Sequence, residues 1–348
     1  MKILITGGCG FLGTNLASHY LLENSDVTIV DALYRKGSQE NLNWLQTYLK
    51  SNLNFVKADV SDQEQISKVF AKFGPFNYVI HVAGQVAMTK SLKDPTFDFQ
   101  TNAVGTFNIL EAIREFSPES FLAFSSTNKV YGDLEWLEYE ERDYRYIIPE
   151  YPNGLSEKLP LDFSTPYGCS KGSADQYVRD WSRTYGLKTV VFRHSSIYGG
   201  RQYASKDQGW IGWFCNQILQ QKKNYESSIE YEPFTISGNG KQVRDVLHAQ
   251  DLVNLYKIAY EKKDLASGQI FNIGGGVKNS LSILELINLL KDYLEFEKVK
   301  YLFIQRRKSD QDYFVADISK AKKILDWEPT LDLKKGIEQM IIWSKSYL

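Results

Sequence analysis

The chain has 348 residues, enough for one large or two ordinary domains with an ample core. Lys and Arg total 41 against 42 Asp and Glu, so the net charge of −1 offers no footprint for nucleic acid or a membrane surface, and no apolar run reaches the ~18 residues of a membrane span. Cys9, Cys169 and Cys215 form no CxxC pair and read as reduced thiols of a cytoplasmic protein, while His19, His81, His194 and His248 lack metal-ligand spacing.

The first stretch, Met1 to Gly13, reads as a short buried strand, a glycine turn and the start of a helix, and that strand is too short for a signal peptide. Gly7 lets the chain turn out of the strand. Gly10 lets a pyrophosphate approach backbone N–H groups. Gly13 lets the helix, with Phe11 and Leu12 in its first turn, pack close to the strand. The helix N-terminus then offers unpaired donors and a partial positive charge. Asp31 closes the next strand, Val27–Val30, where a dinucleotide site places an acid on the adenosine ribose about 20 residues after the glycines. A carboxylate there repels a 2′-phosphate and so favours NAD over NADP; Arg35 and Lys36 nearby oppose that preference. Cys9, at the helix start, reads as a small filler.

Alternation of strand and helix continues. A helix is expected near Glu40–Lys50, a strand at Asn54–Lys57, a helix over Asp62–Phe73 and a strand at Tyr78–Val82. One long helix follows over Pro95–Glu115, then a strand at Phe121–Phe124. Strands apolar throughout, separated by amphipathic helices, argue an α/β, Rossmann-type, doubly wound parallel sheet. Ligands bind beyond the carboxyl ends of such strands. Those ends carry Asp31, Asp59-Val60, Ala83-Gly84 (followed by Gln85), Ser125-Ser126-Thr127 and Arg193-His194-Ser195, all placed at the cofactor or substrate. Asp59-Val60 reads equally as an adenine contact or as a polar turn. Asp133–Thr165 has no helical period and holds Pro149, Pro152 and Pro160; it is expected to cover the active site, or else to be a surface excursion.

Pro166 opens a helix in which Tyr167 and Lys171, at i and i+4, share one face. That pair suits a general acid/base, the ammonium drawing the phenol from ~10 toward neutrality. Thr127 sits in the block Ser125 to Gly132 and is able to hold a substrate hydroxyl against Tyr167. Trp210, Trp213 and Phe214 begin a helix running to about Lys223 and read as core. Ser282 and Glu285 fit a capping box for a helix to about Tyr293, and Leu333–Ser346 is another amphipathic helix.

The glycine pattern, Asp31, the SSTxxVYG block, YxxxK and the later GNGKQVRDV block together resemble the extended short-chain dehydrogenase/reductase family of nucleotide-sugar epimerases and dehydratases. The likeness spans essentially the whole chain. It implies Thr127, Tyr167 and Lys171 as the catalytic trio and NAD retained through turnover. It implies a cofactor lobe over 1–193 with a returning segment at about 235–260, and a smaller α/β sugar-nucleotide lobe over 194–234 and 261–348. A homodimer or homotetramer is implied as well. Dehydratases of the family carry Asp-Glu after the Thr; here Asn128 and Lys129 stand there. Ser196 takes the place of an Asn common in 4-epimerases, beside Ser195. Arg244 and Arg307 are candidate clamps for the substrate diphosphate, guanidinium suiting two phosphate oxygens; without the family pattern each reads as a surface ion pair. The blocks SSTNKVYGDLE, PYGCSKG, FRHSSIYGGRQ, DQGWIGWFC and FTISGNGKQVRDVLHA are most like the branch that inverts C2 of a CDP-sugar. A UDP- or dTDP-hexose 4-epimerase and a non-catalytic NAD(H)-binding sensor are the alternatives.

Overall fold

The computed structural model describes residues 1–49 and 52–348. The first half alternates as expected: β1 (Lys2–Thr6), α1 (Phe11–Leu22), β2 (Asp26–Asp31), α2 (Ser38–Tyr48), β3 (Leu53–Lys57), α3 (Gln63–Phe73) and β4 (Tyr78–His81). The expected end of the second helix at Lys50 lies outside the described residues. Asp62 caps α3, its carboxylate accepting from Gln65 N at 3.0 Å.

The long helix expected over Pro95–Glu115 is present as one unbroken helical run to Phe116, interrupted in its hydrogen-bond pattern by a π-turn. After α4 (Met88–Lys93) come α5 (Pro95–Phe99), a π-turn at Gln100–Val104 and α6 (Gly105–Phe116). No proline causes the interruption. The turn instead coincides with Asn102, whose amide is engaged by the neighbouring Gln85 backbone (2.9 and 3.0 Å). Strand β5 (Phe121–Thr127) follows and runs three residues further than the apolar pattern indicates. A small hairpin, β6 (Glu140–Glu141) and β7 (Tyr146–Ile147), precedes α7 (Thr165–Tyr185), which ends at Gly186 with φ 69°.

The chain continues through β8 (Lys188–His194), β9 (Ser196–Tyr198), α8 (Trp210–Glu226), β10 (Phe234–Ser237), β11 (Val243–His248), α9 (Ala249–Glu261), α10 (Lys263–Ala266) and β12 (Gln269–Ile273). It closes with β13 (Ser280–Ser282), α11 (Ile283–Leu294), β14 (Tyr301–Ile304), β15 (Tyr313–Phe314), α12 (Ser319–Leu325) and α13 (Leu333–Lys345). The expected capping box opens α11: Glu285 N donates to Ser282 Oγ (3.1 Å) and Ser282 N to Glu285 (2.7 Å).

Seven parallel strands form the main sheet in the order β12-β8-β5-β4-β1-β2-β3. Order reverses beside β1, so the crevice opens past Thr6, Asp31, His81 and Thr127. One apolar cluster fills each face of the sheet and a third fills the region of α8, α11 and α13. Two parts of the expected lobe division differ. Strand β12, assigned by sequence to the second lobe, pairs with β8 in the main sheet. Within 235–260, α9 and Leu247 at the end of β11 pack on the main core, whereas β10 and β11 pair with β14, β13, β15 and β9 in smaller sheets.

The 133–165 segment is not a flap over the crevice. Leu134, Leu137, Ile148, Leu155 and Leu159 are buried against Tyr313–Ala316 in a cluster of their own. Leu155 N donates to Val315 O at 2.7 Å and Asp317 N to Leu155 O at 3.0 Å. Burial of five apolar side chains ties the excursion down.

Candidate active site

The glycine turn is sterically enforced at two of its three positions. Gly7 has φ +70°, and a Cβ there would lie 2.7 Å from Ala83 Cα. A Cβ at Gly13 would lie 2.1 Å from Gly7 O, a backbone atom that cannot swing away. At Gly10 the nearest atom is 3.2 Å off, so this glycine keeps the turn open toward the crevice. Gly10 caps α1 with no side-chain acceptor, leaving the first-turn N–H groups at the cleft that Gly10, Phe11, Leu12 and Gly13 line.

The same cleft is lined by Asp31, Asp59, Val60, Ala83, Gly84, Gln85 and Ser125, each expected there from the sequence. Asp31 Oδ2 accepts from Cys9 N (2.9 Å) and Oδ1 from Leu33 N (2.7 Å). Burial raises this carboxyl above its ordinary value, and the two backbone bonds and the Arg35 charge work against that rise. Burial also pushes the Cys9 thiol up, in keeping with a filler. Asp59 serves its own turn as well, accepting from Ser61 N (2.9 Å) and Oγ (2.8 Å). Tyr34, Lys90, Phe97, Thr101, Asp207 and Gln208 line the cleft without having been singled out. Their only signal in sequence is proximity to strand ends or to the 201–209 loop, which Thr89 ties to α4 through Asp207 (2.8 Å).

Thr127, Tyr167, Lys171 and His194 lie one layer deeper, each less than a tenth exposed. The Thr127 hydroxyl donates to Asn128 Oδ1 (3.4 Å) and accepts from Lys129 N (3.2 Å). Lys171 Nζ donates to Ser125 O at 2.6 Å, directly behind the cleft wall, and sits 4.2 Å from the Phe124 ring centroid. Burial pushes Lys171 down to about 7, while Asp175 and Asp98 hold it up. The phenol departs from the sequence expectation. Burial pushes Tyr167 up to about 12 and the Asp98 charge adds to the rise, together outweighing the Thr127 hydroxyl and the Arg35 charge that favour phenolate. Desolvation therefore wins over neighbouring charge here. His194 stacks on Tyr256 with planes 2° apart, its Nε2 is 3.3 Å from the Tyr256 hydroxyl, and its Nδ1 has no partner among the described residues. Burial and then the Lys171 charge push it down to about 3, so it is a neutral imidazole.

The expected substrate residues are divided. Asn128 donates to Gln311 Oε1 (2.9 Å), and Lys129 Nζ to Ser309 O (3.0 Å), joining the end of β5 to the 309–312 segment. Arg244, a candidate clamp or else half of an ion pair, is paired with Asp310 (2.9 Å) and donates to Gln311 O (2.8 Å). Arg307 reaches Lys206 O (2.9 Å) instead of an acid. Ser195 Oγ donates to Asp245 O (3.0 Å), and Ser196 Oγ accepts from Trp210 Nε1 (3.0 Å). Both serines thus serve local structure in this state.

Sequence reasoning missed one buried network that shapes the site. Asp175, on the catalytic helix, accepts from Arg193 Nε (2.9 Å) and Nη2 (2.8 Å) and from Ser126 Oγ (2.7 Å). Arg193 also donates to the Tyr131 hydroxyl (2.9 Å), which donates to Asn272 (2.7 Å). Strands β5, β8 and β12 are thereby fastened to α7.

Comparison with known proteins agrees with this layout. The family model described as GDP-mannose 4,6 dehydratase matches residues 4–340. The chain is 49% identical to CDP-paratose 2-epimerase of Salmonella typhi, covering 99% of this chain and 100% of that one. Among solved structures, UDP-glucuronic acid 4-epimerase from Bacillus cereus, in complex with UDP-glucuronic acid and NAD, superposes with a TM-score of 0.83 at 26% identity, covering 100% of both chains. UDP-glucose 4-epimerase from Thermotoga maritima, with UDP-glucose, gives 0.82 at 28% identity over 99% of each.

Proposed function

The chain belongs to the GDP-mannose 4,6 dehydratase family, within the extended short-chain dehydrogenase/reductases, and from that premise we propose that it inverts C2 of CDP-paratose to give CDP-tyvelose, keeping NAD bound through turnover. The observation that carries this reading is the 49% identity, along both chains, to a CDP-paratose 2-epimerase. Asn128 and Lys129 support it, because they leave no acid/base pair for the elimination that a dehydratase performs.

The cleft's residues fit NAD. The glycine cradle that a Cβ would fill suits the pyrophosphate, and Asp31 suits an unphosphorylated ribose. The unpartnered His194 Nδ1 and the deep trio lie at the nicotinamide end in this reading. Bound there, NAD supplies reversible oxidation of a sugar carbinol. Tyr167 takes the C2 hydroxyl proton at its phenol oxygen, and Thr127 holds the same hydroxyl. Burial opposes phenolate, so a buried cation one turn away is what makes proton abstraction feasible near neutral pH; Lys171 is that cation. The 2-keto sugar turns its other face to the cofactor, which would supply the reduction at C2, and Tyr167 returns the proton to the C2 oxygen. Arg244, released from Asp310, and Arg307 grip the diphosphate, with Asn128, Ser195 and Ser196 around the sugar. The cofactor lobe comprises the main sheet with the helices packed on its two faces, α9 among them, and the sugar-nucleotide lobe the region of α8, α11 and α13 with the smaller sheets.

Phe107 on α6 and Tyr177 and Tyr185 on α7 expose aromatic faces beside Trp181, which supports a homodimer, or a homotetramer built from it, through those helices. No helix among the described residues is long and apolar enough to cross a membrane, and a cytoplasmic location fits three thiols with no disulfide.

The test is a panel of CDP-, UDP- and dTDP-sugars followed by NMR of the ring protons. Inversion at C2 of CDP-paratose is expected. Inversion at C4 of a UDP- or dTDP-hexose would move the reading to the 4-epimerase alternative. A Tyr167→Phe variant that binds NAD but has lost activity separates an enzyme from an NAD(H) sensor.

A further inference from the structure

Behind the cleft wall lies a polar cluster that the reaction as written does not use. Asp98, on α5, is fully buried. Its carboxylate accepts from Ser170 Oγ, from Gln85 Nε2 (2.8 Å) and from Asn102 Nδ2 (3.3 Å). Asn102, in the π-turn, also contacts Ser170 Oγ at 3.0 Å. Ser170 in turn donates within reach of Tyr167 O, at 3.2 Å. Ser170 stands three residues after Tyr167 and one before Lys171, so the carboxylate is fixed to the turn that carries both.

A buried carboxylate is tolerated when donors and a cation face it. The cation here is Lys171, and the influence is mutual. The groups facing Lys171 are Asp98 from α5, Asp175 from its own helix, and His81 and His194 from strand ends; Asp98 acts on the Tyr167 phenol too, raising it. Both histidines are neutral, pushed down to about 3 by burial and then by the Lys171 charge. Asp175 is gripped on two oxygens by Arg193. Asp98 has no such guanidinium partner in its hydrogen bonds, all of which come from neutral donors.

We propose that Asp98 is a positioning residue for the Tyr167–Lys171 pair: through Ser170 it fixes the first turn of α7 and sets a buried carboxylate against the turn that carries the Lys171 ammonium. The inference rests on the catalytic reading of that pair given above.

Asp98→Asn keeps the shape. Its amide oxygen accepts from Gln85 and its NH2 donates to Ser170 Oγ, whose proton turns to Tyr167 O. Only the charge is lost. The first readout is an NMR titration of the Lys171 Nζ, with its signal assigned by its disappearance in Lys171→Arg. The parent midpoint is expected at about 7, and the variant midpoint lower by about one pH unit. The second readout is the pH profile of kcat, whose alkaline limb moves down by the same interval with KM unchanged. An unmoved midpoint, or a uniform fall in kcat at every pH, overturns the proposal. Ser170→Ala keeps the charge and cuts the link; kcat is expected to fall about tenfold with the limb in place. Parental kcat in that variant overturns the positioning half, and it decides the matter if Asp98→Asn does not fold. The Lys171 titration needs no turnover, so it is read independently of whether Tyr167→Phe abolishes epimerisation.

Discussion

Asp175→Asn is the most informative single perturbation of the scaffold. Asp175 is wholly buried and Arg193 is 3% exposed, so solvent does not screen their pairing. The carboxylate satisfies both guanidinium donors and the Ser126 hydroxyl. Asparagine keeps one acceptor, turns the other into a donor, and leaves the Arg193 charge without a counterion. Removing one member of a buried pair costs about 3–5 kcal/mol. At ~2 °C per kcal/mol for a chain of this size, Tm falls by roughly 6–10 °C. Urea and thermal melts followed by tryptophan fluorescence measure both quantities. Replacing the pair together, Asp175→Leu with Arg193→Met, recovers much of the loss, because the penalty lies in the orphaned charge. A single variant within about 1 kcal/mol of the parent would refute the reasoning, since Arg193 would then have another route to neutrality.

Two further outcomes follow from the same geometry. Gly13→Ala sets a Cβ 2.1 Å from Gly7 O, so it lowers Tm and abolishes NAD binding by calorimetry; parental affinity would show that the cradle gives way. Burial pushes Asp245 up to about 7, against the Gly276 N–H that its carboxylate accepts (3.0 Å). The native state therefore holds a proton that the unfolded chain loses near pH 4, and stability falls as pH rises from about 4 to about 7. Asp245→Asn removes that decline, so its advantage over the parent grows from about pH 4 to about pH 7 and levels off above; melts showing a constant difference across that window would contradict this.

What was readable in the sequence is local. The run Ile3–Ile5, the spacing of Gly7, Gly10 and Gly13, and Asp31 each state their geometry within a few residues, and the structure places them at one cleft. The same holds for Pro166 in the first turn of α7 and for the Ser282–Glu285 box. What was hidden depends on partners far along the chain. Residues 133–165 show only that they are not helical; their burial depends on Leu155 meeting Ala316. Strand β12 is an apolar run like any other until β8 accepts it. Asp98, Asn102 and Ser170 read as polar positions on amphipathic helices, and nothing local indicates that all three face inward to each other. The phenol's surroundings were legible only in part, because spacing reveals a nearby cation and not the depth of burial, which pushes Tyr167 up.

The central claim is that one carbon, C2, is oxidised and reduced on a single bound substrate. CDP-paratose carrying deuterium at C2 tests it, with the product read by NMR. The account predicts CDP-tyvelose with the deuterium still on the inverted C2. Loss of the label to solvent, or inversion at a different carbon, would contradict it.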